Sequence, residues 1–143
     1  MTGYKKILVL LDLSNASEQV AVAGRDMAEP SNAALVLLHV VEFVPTEPMG
    51  ETLMPTVQIE EELAHRSRAK LEELSARLGL TRATTRIEAG NKKTEILRVA
   101  KEEAVDLIVL GSRVRHGLGI LVNFTEDTVL HAAHCDVLAI RLK

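Results

Sequence analysis

The stretch "GSRVRHGLGILVNFTED", residues 111–127, holds the residue types of a phosphate cradle. Gly111, Gly117 and Gly119 would let backbone come close to an anion, Arg113 and Arg115 carry positive charge, and Thr125 puts a hydroxyl just ahead of a helical pattern. Each also has a plainer reading: flexible turn, solvated charge, helix N-cap. Asp12, which closes the apolar run "KKILVLLD", is a second candidate. Its carboxylate can accept hydrogen bonds from a ligand's amine or hydroxyl, or it can cap the turn made with Ser14 and Asn15. His39 has no acid at an informative spacing and reads as a packed histidine at a strand end. His131 and His134 lie i, i+3 on one helical pattern, but two ligands without a third cysteine or carboxylate do not make a metal site.

These residues need elements to hold them. Four runs, "KKILVLLD" (5–12), "AALVLLHVV" (33–41), "VDLIVLG" (105–111) and "DVLAIRL" (136–142), are short and almost continuously apolar, as strands covered on both faces are. "ATTRIEA" (83–89) alternates instead and reads as an edge strand. Asn15 followed by Glu18 is a capping-box signal, and Val20, Ala23, Met27 and Ala28 give a stripe for a helix over about 16–28, ending before Pro30. Ile59, Leu63, Leu71, Leu74 and Leu78 share one face of a long charged helix that Gly79 stops. "KKTEILRVAKEEA" gives a third helix, with Ile96, Leu97, Val99 and Ala100 inward, and "TEDTVLHAAHC" a short fourth.

Strands alternating with helices predict an α/β fold: one domain over residues 1–143, with a doubly wound five-stranded parallel sheet and helices on both faces. The expected strand order is 3-2-1-4-5. The switch point then falls between strands 1 and 4, where ligands collect at the carboxyl ends, here Asp12 and Gly111. Segment 42–56 has three prolines and a glycine and reads as a long loop, either a lid or a plain connector. The last strand presents Val137, Leu138, Ala139, Ile140, Arg141 and Leu142 at a sheet edge. An apolar edge of that kind invites pairing with a copy of itself, so a homodimer is expected.

Composition narrows the function classes. Seventeen basic residues against twenty acidic give a net charge of −3, with no basic stripe, and aromatics are only 2%, so neither phosphate tracking nor base stacking on nucleic acid is expected. The first apolar run is too short to span a membrane and leads into an acid rather than a cleavage site, so a cytoplasmic protein without membrane contact is expected. Cys135 is the single cysteine, which excludes an internal disulfide.

The segments "KKILVLLDLSNASEQV", "LVLLHVVE", "EILRVAKEEAVDLIVLGS" and "CDVLAIRL" together resemble the universal stress protein family over essentially the whole chain. The resemblance implies a 3-2-1-4-5 sheet, a dimer through the C-terminal strands, and one of two branches. One branch binds ATP; the other, like the enterobacterial A-type protein, does not. It also implies that Asp12 and the backbone of Val40 face an adenosine, with Leu110 behind it and Gly111 under the phosphates. The ATP-binding branch carries G-x-x-G-x9-G-[ST] after strand 4. Gly111 matches the first position, but Val114 stands at the second, and Asn123 and Phe124 stand at the Gly-Ser pair once one residue is deleted. Val114 takes positive φ only with strain, and Phe124 supplies neither a hydroxyl nor room.

The expectation is therefore an A-type member with a degenerate motif, an unidentified protein partner, no tightly bound ATP and no catalysis, since no Walker lysine or placed base is present. The alternative is a nucleotide sensor. In it Gly117, Gly119 and Thr125 form a shifted loop, Arg113, Arg115 and His116 neutralise phosphate, and ATP orders loops 42–56 and 112–124.

Overall fold

The computed structural model describes residues 3–42, 56–112, 129 and 131–142, with the side chains of the long helix described from residue 61 onward. The elements run β1 (Lys6–Leu10), α1 (Ser17–Ala28), a short 3-10 turn (Glu29–Ser31), β2 (Ala34–Val41), α2 (Thr56–Arg77), β3 (Thr84–Ala89), α3 (Lys92–Glu102), β4 (Leu107–Ser112) and β5 (Asp136–Arg141). All pairings are parallel, in the order β3-β2-β1-β4-β5. The alternating pattern therefore produced the doubly wound sheet that parallel crossovers require.

Successive strand residues face opposite ways, so each central strand feeds two cores. Ile7, Val9, Leu11, Leu37, Leu107 and Val109 face Val20 and Ala21 of α1 and Leu71 and Leu74 of α2. Leu8, Val36, Leu38, Val40, Ile108 and Leu110 face Ile96, Val99 and Ala100 of α3 together with Val129. This double coverage is why those strands are apolar at nearly every position. At Gly24 the backbone of α1 comes close to β1, since a Cβ there would lie 2.5 Å from Val9 Cγ2.

Four details depart from the sequence pattern. β5, whose run reads like those of the central strands as covered on both faces, has no fully buried residue from Asp136 to Arg141, because it lies at the sheet edge. The β1 ladder ends at Leu10, not Asp12, and residues 11–16 form a connecting turn. Asn15 is not the N-cap of α1: the helix starts at Ser17 behind Ala16, which makes no side-chain cap bond. On α2 the stripe is only partly buried; Leu71 and Leu74 enter the core, whereas Leu63 is 38% exposed. The fourth helix is described only at Val129 and residues 131–132, where the Ala133 amide donates to the Val129 carbonyl.

Candidate functional site

Asp12, Val40, Leu110 and Gly111 stand at the carboxyl ends of three neighbouring strands, with β1 between β2 and β4. That is the switch point of the sheet, so the fold gathers the candidates that lie in described residues at one edge. Arg113, Gly117, Gly119, Asn123 and Thr125 lie outside the described residues, as do Val114, Phe124 and loop 43–55.

The turn after β1 is built on one carboxylate oxygen. Asp12 Oδ1 accepts from the Ser14 amide at 2.9 Å, the Ser14 hydroxyl at 2.7 Å and the Ser17 hydroxyl at 3.0 Å. The Ser14 hydroxyl oxygen in turn accepts from the Ala16 amide at 3.3 Å. Asp12 thus caps the turn, the plainer of the two roles its position suggested, while Asn15 does not cap α1. Leu13 is held at φ 62°, a left-handed conformation that costs a non-glycine residue about 1 kcal/mol, while its side chain packs on the α1/α2 core.

His39 braces the same turn from β2. Its Nδ1 lies 2.7 Å from the Leu11 carbonyl, which only accepts, so Nδ1 carries the proton and donates. The Leu11 amide donates to the Leu38 carbonyl at 2.8 Å, so the residue before Asp12 is fixed on both sides. Burial lowers the pKa of His39 against the opposing pull of its bond to Leu11, with Lys92 and Lys70 lowering it further and Asp12 raising it. Sequence spacing could not show this tie, since Leu11 and His39 meet only when β1 and β2 pair.

Val40 and Leu110 are only 3% and 2% exposed, their side chains in the α3-side core, so they offer a ligand backbone rather than side chain. At Gly111 an added Cβ would meet Leu142 Cδ1 at 2.8 Å and Val20 Cγ2 at 3.1 Å. The space beside this glycine is already taken by α1 and by the residue after β5. Cys135 is half-buried and its thiol pKa is raised by burial and by Asp136 and Asp106, so it sits as a protonated packing residue. Among the described residues no group of three or more His, Cys, Asp or Glu is placed to hold a metal ion, and no helix is long and apolar enough to cross a membrane.

The doubly wound sheet, with an Asp-built turn at its switch point, puts the chain in the α/β class. The family within that class is fixed by comparison. Residues 3–141 match the profile of the universal stress protein family, and the chain belongs to that family. It is 34% identical to Universal stress protein A homolog 2 of Coxiella burnetii, over all of this chain and 99% of that one. Homolog 1 of the same organism is 33% identical, over 98% of each. Among solved structures, the universal stress protein UspA from Lactobacillus plantarum superposes with a TM-score of 0.76 at 25% identity, over 99% of this chain and all of that one. A universal stress protein in complex with cAMP shares the fold with a TM-score of 0.67 at 19% identity, over 98% of each.

Proposed function

We propose that this chain is a cytoplasmic, dimeric, A-type member of the family that acts by binding a protein partner and neither holds ATP tightly nor turns it over. The observation that carries the reading is the packing at Gly111. The one motif glycine that matches is explained by Leu142 and Val20 pressed against it, so its lack of a side chain needs no phosphate to account for it. Asp12 agrees, since its carboxylate is engaged by Ser14 and Ser17 in closing a turn. Dimerisation is supported by β5, an edge strand with Val137, Leu138 and Ile140 half-buried and Ala139 exposed.

A nucleotide-sensing reading keeps one specific support. Asp12, Val40 and Gly111 are still gathered at adjacent strand ends, and a protein of the same fold is described in complex with cAMP. Freshly purified protein distinguishes the two. Sedimentation should find a dimer, and mass spectrometry of the denatured sample should release no nucleotide. Stoichiometric nucleotide in the released fraction would replace the first reading with the second.

A further inference from the structure

The sheet has two edges, β3 and β5, and their side chains differ in kind. Between Asp136 and Arg141, β5 carries only Val137, Leu138, Ala139 and Ile140. The β3 edge carries Arg86 and Glu88, alternate residues on the face that α3 covers, in register with the core residues Leu38 and Val40. Arg86 Nε and Nη2 donate to Glu88 Oε2 at 3.1 and 3.0 Å, Nη1 to Glu103 at 3.0 Å, and Nη2 also to Glu102 at 3.2 Å. Arg98 of α3 donates to the other Glu88 oxygen at 2.7 Å and to Glu102, and Lys6 pairs with Glu103 at 2.8 Å.

The side chains of Arg86, Glu88 and Glu103 are only 19%, 23% and 22% exposed. They are therefore drawn in toward the sheet-helix seam and hold their charges at its margin. We propose that this inward-drawn ion-pair network closes the β3 edge to strand addition, so that a second copy of this chain can pair only through β5. A strand laid along β3 would strip the remaining water from charges already committed to α3, and those charges cannot turn to meet the newcomer. Without such a block, a chain with two competent edges makes head-to-tail contacts that do not close, and grows.

The test removes the charges from β3 without stranding any on α3. After Arg86→Thr and Glu88→Thr together, Glu102 retains Arg98 and Glu103 retains Lys6, and threonine suits a strand. The same pair of sites changed to Val provides a second variant. Sedimentation of both, with circular dichroism confirming the fold, should show weight-average mass rising with concentration to about twofold or more above wild type. Adding Ala139→Pro, which fixes φ and removes an amide donor on β5, separates the edges: the Thr-Thr variant in that background should still pair, through β3 alone. That arm stands whether or not β5 forms the wild-type dimer. Folded double variants that keep the wild-type mass would overturn the proposal, as would growth in the Val variant alone, which would indicate general apolar stickiness.

Discussion

Each end of β1 is organised by an aspartate, and the two ends are built differently. At the amino end, Asp106 accepts from the Lys5 and Lys6 amides at 2.8 and 3.0 Å, while its own amide donates to the Lys6 carbonyl at 2.9 Å. Nearby the Tyr4 hydroxyl donates to Asp136 at 2.8 Å, and the Ser31 hydroxyl to the Tyr4 carbonyl. These bonds join segments far apart in sequence, so they form only when the whole sheet does. At the carboxyl end Asp12 Oδ1 accepts from Ser14 and Ser17, two and five residues on, while Leu11 beside it is tied to β2 through Leu38 and His39. Hydrogen bonds between residues near in sequence can change without loosening the sheet, and sites that exchange ligands or partners are drawn from such regions.

Replacing each aspartate tests that division. Asp106→Ala leaves two backbone donors of β1 without their charged acceptor and should lower the unfolding free energy by about 2 kcal/mol, read from urea denaturation. Asp12→Ala removes a local cap and should cost about 1 kcal/mol, with the sheet intact by circular dichroism. Equal losses, or a larger loss at Asp12, would break the comparison. A smaller effect is expected from pH. Burial leaves His39 with a folded pKa below its unfolded value, so the unfolded chain takes up the proton first on acidification. Its contribution to stability is complete above the unfolded value near 6.5 and is lost as pH falls toward the folded one. The thermal unfolding temperature should therefore fall below about pH 6.5 in the wild type, and less so in His39→Gln. Identical pH profiles for the two would show that the Leu11 tie is not linked to protonation.

The central strands β1, β2 and β4 were readable in the sequence because burial on both faces marks composition, and the weak alternation of "ATTRIEA" correctly put β3 at an edge; "DVLAIRL" carries the same apolar mark, yet β5 is half-exposed. The meeting of Asp12 and Gly111 followed from strand order, and Val40 joined them through the family resemblance. What the pattern could not give were contacts set by other elements. Asn15 fits a capping box taken by itself, but the three donors on Asp12 are arranged by the turn. Leu63 fits the helical period, yet among the described α2 side chains those that enter the core begin at Leu71. Gly24 and Gly111 look alike in a sequence, and only docking shows that each accommodates a neighbouring side chain. The partners of Arg86 on α3 follow from how that helix lies on the sheet, which no spacing encodes.

The central claim, a family member whose phosphate cradle has been lost, is tested most directly by calorimetric titration of the unmodified protein with ATP. Several missing phosphate contacts at about 1–3 kcal/mol each would carry a micromolar site toward the millimolar range. The account predicts heats consistent with a Kd of about 1 mM or weaker, and a Kd near ~1 µM would contradict it.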